Sequence, residues 1–365
     1  MTPLRLLAAT VGVAAAAAGV WVGLPGRVAS EQPGAAPAVR PAPITIRRVQ
    51  DDLAPAVPPA RVAAAVDRLA EPPTPVRWAN VLHALRLWGP AARTGGEGRA
   101  IDLVTREDAA ARAVGFPVHQ PTPHGVEFRT AVTPGGYGEQ HWGQTMASLA
   151  EAGVGSDQPV GPEGATVRDV VRSHAANFTW DLAEFEWVAV GFALYLPPHP
   201  HWVNKHGRPA TFDQLMERLC EAPDGRGACF GTHVNYAVTT LLRADDRERI
   251  LGPAARRHGV ERLRRAVGRL ATTQSVDGSW DPKAVFPLRA DGEPVPAGRL
   301  VLTGHAVEWM ALAPRDVPVP GPVVRAAVEY LTANLLTAGR SDLERYYCPY
   351  THAARGVRLW QPAGE

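Results

Sequence analysis

The sequence predicts a mainly α-helical protein, and three observations carry that expectation. Apolar residues recur at helical spacing along almost the whole chain, whereas the two-residue alternation of a half-buried strand is rare. The helical runs are of two kinds, one with a charged face and one apolar or aromatic nearly all round. The two kinds alternate, six of each, so that every wet run is followed by a dry one. A helix apolar on all sides has to be enclosed by others, and this alternation predicts an all-α (α/α)6 barrel, a toroid of outer and inner helices.

The chain of 365 residues opens with one cation, Arg5, and an uncharged apolar run from Leu6 to Pro25. That is the pattern of an export segment, and it is just long enough to span a bilayer. Residues 1–30 are therefore expected to be a signal peptide or membrane anchor, and the protein to be exported: secreted, periplasmic or membrane-anchored. Residues 31–53, which include EQPGAAPAVRPAP, have no apolar period and read as a stiff Pro/Ala-rich linker. The toroid domain is expected over 54–365.

Charge is nearly balanced, with 38 Lys+Arg against 36 Asp+Glu, and the cations are dispersed, which speaks against a nucleic-acid partner. With 35 Gly and 35 Pro the elements should be short and joined by tight turns. The wet runs lie at 60–71, 97–115, 166–178, 211–220, 259–274 and 322–336. Thr166 and Thr211 open two of them as N-caps. The dry runs lie at 76–89, 139–153, 184–198, 229–243, 302–314 and 346–360, and their polar residues are His83, His141, Glu186, His233, His305 and His352. The loop YLPPHPHWVNKHGRPATFDQ contains His199, His201 and His206, and its prolines and glycine make it a surface turn.

Between the fifth wet run and the fifth dry one stands QSVDGSW, Gln274 to Trp280. Gln274 ends a helix, Gly278 permits a tight turn, and Trp280 folds back to cover the gap. This stretch resembles the Gln-Trp repeat of the terpenoid cyclase and protein prenyltransferase superfamily. The resemblance implies an α/α toroid with the motif at an outer-to-inner turn. The Asp-x-Asp-Asp acid of the cyclases and the zinc set of the prenyltransferases are both missing. TGHAVEWMALAP more weakly resembles the Gly-His-x-x-Glu-Trp segment of the N-acylglucosamine 2-epimerase family, another (α/α)6 barrel. That likeness implies acid–base roles on a sugar for His305 and Glu308, with His233 a looser match.

In such a barrel the inner helices run in parallel, so His141, His233, His305 and His352, each expected in the first turn of its helix, gather at one mouth. Neutral imidazoles there suit a base or a ligand, and the competing reading is that they cap helix ends. Glu186 and Glu308 are inward acids: each is a general acid–base candidate with a raised pKa, or the partner of an inward arginine such as Arg86. The catalytic candidates are thus His233, His305 and Glu308 at the centre, with His141, His352 and Glu186 beside them. Trp142, Trp187, Tyr236 and Trp309 are candidate walls for a substrate.

Cys229 and His233, and Cys348 and His352, stand four residues apart, so each pair offers sulfur and nitrogen on one helix face to a zinc ion. Cys220 and Cys229 are alternatively close enough to form a disulfide. The acid–base reading requires no cofactor. The expected partners are a small-molecule, glycan or peptide ligand, and the membrane if the first segment is uncleaved. Three functions stay open: a barrel enzyme of undefined chemistry, a non-catalytic binding toroid, and a sugar epimerase or isomerase.

Overall fold

The computed structural model of the chain describes residues 36–50, 57–74, 76–96, 98–130, 138–161, 164–182, 184–198, 201–287 and 297–361; the segment read as a signal or anchor lies outside them. Among the described residues no helix is long and apolar enough to cross a membrane.

The chain folds mainly into helices. The first are α1 (Pro59–Asp67), α2 (Trp78–Trp88), α3 (Ala100–Thr105) and α4 (Glu107–Val114). A hairpin of β1 (His119–Thr122) and β2 (Gly125–Phe128) leads to α5 (Gln144–Glu151), α6 (Val167–Asn177) and α7 (Glu186–Tyr195). A second hairpin, β3 (Trp202–Val203) with β4 (Pro209–Ala210), precedes α8 (Phe212–Glu221), α9 (Thr232–Glu248) and α10 (Pro253–Thr273). After α11 (Pro282–Val285) come α12 (Gly298–Leu312), α13 (Gly321–Thr337), α14 (Arg340–Arg345) and α15 (Tyr347–Leu359). Among the described residues both sheets are two-stranded and antiparallel, with His119 opposite Phe128 in one and Trp202 opposite Ala210 in the other.

The dry runs become the buried helices α2, α5, α7, α9, α12 and α15. Each packs on the next in that order, and α15 packs on α2. The charged helices sit against them: α1 and α13 on α15, α3 on α2, α8 and α10 on α9. Caps fix where the wet helices begin. At α6, Thr166 N–H donates to Asp169 Oδ2 at 2.9 Å, and at α8 the Gln214 N–H donates to Thr211 Oγ1 at 3.1 Å.

The Gln-Trp turn joins three helices. The Gln274 side-chain amide donates to Gly278 O at 3.0 Å and to Val323 O on α13 at 2.8 Å. Trp280 is fully buried, its indole N–H on Leu270 O of α10 at 2.8 Å and its backbone N–H on Thr303 Oγ1 of α12 at 3.1 Å. Gly278 has φ +86°, and a Cβ there would come within 2.2 Å of Ala326 O, so the turn accepts no side chain at that point.

Residues 36–50, within the stretch read as a linker, pack against the helices. They lie as an extended strap: Arg40 N–H donates to Tyr195 O at 2.8 Å, Ile44 N–H to Leu194 O at 3.0 Å, Arg48 to Trp360 O at 2.8 Å and Gln50 to Val317 O at 3.1 Å. Arg40 also pairs with Glu248, and Arg243 spans Arg47 O and Leu312 O. The strap therefore touches the C-terminal ends of α7, α9, α12 and α15. A Pro-rich chain has no internal ladder, and helix C-termini have carbonyls to spare; each satisfies the other.

The loop with His201 and His206 is the second hairpin, with His206 N–H on Asn204 Oδ1 at 2.9 Å; His199 lies outside the described residues.

Candidate functional site

The six buried helices carry their polar groups in layers. On four of them a histidine is followed three residues later by another polar side chain: His83 and Arg86 on α2, His233 and Tyr236 on α9, His305 and Glu308 on α12, His352 and Arg355 on α15. Residues i and i+3 lie one above the other on a helix, so the repeat stacks an imidazole layer on a charged layer.

The imidazole layer is continuous. Ring centroids are 4.9 Å apart from His141 to His233, 5.3 Å from His233 to His305, 3.6 Å from His305 to His352 and 4.8 Å from His352 to His83. Three of the four helix positions differ from expectation. His305 is mid-helix and His352 lies beyond the first turn, because α12 begins at Gly298 and α15 at Tyr347; only His233 is in a first turn, and His141 precedes α5. Helix ends therefore do not account for the pKa values of His305 and His352. Burial, reinforced by repulsion among the rings, holds His83, His233 and His305 well below their ordinary value; burial lowers His352 as well, against the pull of Glu308.

The hydrogen bonds aim particular nitrogens. His305 Nδ1 meets Val301 O at 2.8 Å and His352 Nδ1 meets Glu308 Oε2 at 2.6 Å. The Nε2 atoms of His83 and His305, in side chains 3 % and 4 % exposed, have no hydrogen-bond partner. Unpaired buried nitrogens are costly and uncommon, and an imidazole with Nδ1 on a carbonyl or carboxylate is the usual arrangement of a metal ligand.

The charged layer is fully paired. Arg86 donates to Glu151 Oε2 at 2.5 Å and to Glu308 Oε1 at 2.7 Å; Arg355 donates to Glu151 Oε1 at 3.0 Å, to Tyr236 Oη at 3.0 Å and to Glu308. The Tyr236 hydroxyl donates to Glu151. Burial alone would raise both carboxyls, but the two guanidiniums outweigh it, holding Glu151 below and Glu308 well below the ordinary carboxylate value. Of the two readings of Glu308, the pairing is that of a partner for inward arginines, Arg86 and Arg355, with its second oxygen on His352 Nδ1. Arg355 and Glu151 are not among the residues the sequence singles out; the His-x-x-Arg spacing shared by His83 and His352 is the signal for Arg355, and Glu151 has no such signal.

The thiols complete two clusters. His83, Cys348 and His352 form one; Cys229, His233 and His305 form the other; within each, potential donor atoms lie within 4.8 Å of one another. Each i, i+4 pair stays together in a cluster of its own. Each takes its third member from a neighbouring helix, so His83 and His305 join the expected Cys229, His233, Cys348 and His352. No cysteine is in a disulfide, which removes the Cys220–Cys229 alternative. Cys229 is held with φ 49° and Phe230 with φ 61°, left-handed backbone that costs each about 1–2 kcal/mol, in the turn that presents the thiol four residues before His233.

The other candidates divide. Trp187 stands edge-on to His233 at 5.1 Å and under the Arg86 guanidinium at 4.6 Å, and Tyr236 lies beside it, so both wall the site. Trp142 instead stacks on His174 at 4.9 Å, and Trp309 lines a small crevice with Phe230, Leu302 and Leu270. Glu186 is raised by burial and lies at the start of α7 near Glu184, which binds His141 Nδ1 at 2.5 Å. Glu186 thus belongs to the half-buried His141 edge and not beside His305.

The chain matches no family model, no curated protein and no solved structure.

Proposed function

We propose that the chain is an exported (α/α)6 toroid whose axis holds transition-metal ions in the Cys/His layer. The cyclic order of packing among α2, α5, α7, α9, α12 and α15, the charged helices outside them, and the Gln-Trp turn all support the toroid. The apolar run at residues 6–25 supports export, either as a cleaved signal or as an anchor.

One observation carries the metal reading. Two buried clusters each bring one thiol and two imidazoles together, with unpartnered Nε2 atoms on His83 and His305. His119 Nδ1 and His174 Nε2 are unpaired in the core as well, so what distinguishes His83 and His305 is the thiol and second imidazole gathered beside each. Thiolate and imidazole are the donors that late transition metals, zinc among them, prefer. The test is elemental analysis of the full chain, purified without chelators. Metal retained through gel filtration supports the reading. A wild-type protein that holds none after exposure to zinc, cobalt and copper salts would remove it.

His141, Glu184 and Glu186 favour a second reading at the half-buried edge. There a carboxylate–imidazole pair 2.5 Å apart can move protons on a small polar, glycan or peptide ligand that enters beside Trp187. A His141→Asn variant that binds such ligands as wild type does would end it. Fractionation of tagged full-length protein tests the location, and a cytoplasmic product with Met1 intact would refute export.

A further inference from the structure

We infer that the metal is copper in its univalent state, one ion in each of the two Cys-His-His clusters. The inference rests on the metal-centre reading above and adds which ion, of what charge, and how many.

Coordination number is the first argument. Each cluster offers three donors, one sulfur and two nitrogens. Zinc is almost always four-coordinate, and with three protein ligands it needs a water in the fourth position. One thiolate with two imidazoles is a copper donor set, and since thiolate suits univalent copper as well as zinc, the missing fourth donor is what favours copper. His352 is held by Glu308 and His305 by its own helix, so their Nε2 atoms are oriented before any ion arrives.

Charge is the second argument. The layer beneath is self-neutralising: the guanidiniums of Arg86 and Arg355 are paired with the carboxylates of Glu151 and Glu308. Bound histidines are neutral and each bound cysteine is a thiolate, its proton released to solvent as the sulfur–metal bond forms. A univalent ion on one thiolate leaves a neutral cluster. A divalent ion leaves each cluster cationic, buried, and beside its twin, because His305 of one cluster stacks on His352 of the other at 3.6 Å. With no carboxylate left unpaired to offset that charge, the buried pair would repel in a medium of low polarity.

The experiment presents purified full-length protein, without oxygen, with Cu(I) buffered by a chromogenic copper(I) chelator. The protein should withdraw two equivalents of copper and keep them against an excess of zinc. Cys229→Ser and Cys348→Ser should each withdraw one equivalent, and the double variant none. X-ray absorption at the copper edge of wild-type protein, which does not depend on any variant folding, should give one sulfur and two imidazole nitrogens per copper. Zinc retained in preference to copper would overturn this inference and leave the metal centre standing. One copper bound by two sulfurs, or two coppers still bound by the double variant, would overturn the two-cluster assignment. A wild-type chain that takes up neither ion would overturn the metal centre as well.

Discussion

His305 and His352 stack with their ring centroids 3.6 Å apart, the closest pair in the imidazole layer. The contact exists because α12 and α15 approach through glycines. A Cβ at Gly304 would lie 2.9 Å from Ala353 N, and one at Gly356 would lie 3.2 Å from Gly304 O.

Gly304→Ala should therefore force the two helices apart at the imidazoles themselves. Overpacking of this kind costs about 1–3 kcal/mol, since the clash is with backbone and cannot be relieved by a rotamer. Urea unfolding checks it. A variant as stable as wild type would mean that the approach is looser than the distances indicate.

Trp280→Ala should cost about 3–5 kcal/mol, the range for truncating a fully buried aromatic. The loss includes the indole hydrogen bond that ties the turn to Leu270 O on α10. Trp280→Phe should lose less, because it keeps most of the apolar volume. Thermal unfolding of both variants tests the order, and equal losses would count against the turn as a packing device.

Arg86→Met leaves Glu151 and Glu308 with a single guanidinium between them in a buried site, so destabilisation of about 3–5 kcal/mol is expected. Adding Glu308→Gln should recover part of that loss, since a stranded charge goes with it. Chemical denaturation of the single and double variants measures the coupling; strictly additive losses would show that the two residues do not form one network.

Chelator-treated protein should lose stability as pH falls below about 6.5, the ordinary histidine value. The folded-state pKa values of His83, His233, His305 and His352 are lowered, so between those values and 6.5 the unfolded chain binds more protons. Stability then rises with pH across that window and levels off above it, by up to about 1.4 kcal/mol per pH unit for each histidine. Glu139 opposes this: burial pushes its carboxyl up to about 7 although it accepts from Gly143 N–H and Thr145 N–H, so with Glu186, also raised by burial, it favours the folded state toward low pH. Unfolding free energies from pH 5 to 8 should climb, and more steeply in Glu139→Gln; a flat profile would contradict buried neutral histidines.

Much of the fold is legible in the residues themselves. The dry run at 302–314 is a buried helix because no face of it carries enough charge to stay wet. Gln274, Gly278 and Trp280 announce their turn, since one residue suits a helix end, one a left-handed turn and one a gap. The strap at 36–50 is not legible, because its hydrogen bonds go to carbonyls of helices distant in sequence. Glu308 illustrates the same limit at the site: its inward position follows from the helix pattern, but its charge is decided by Arg86 and Arg355, which arrive from two other helices.

By itself the sequence determines which segments are helical, which of them are enclosed, and that histidines stand among their enclosed polar residues, because periodicity and composition act within one helix. Only the tertiary structure decides that Cys229 and His233 are completed by His305, and that Cys348 and His352 are completed by His83. Spacing along one helix places two donors on one face. The third comes from whichever helix packs alongside, and that is a property of how the helices close on one another.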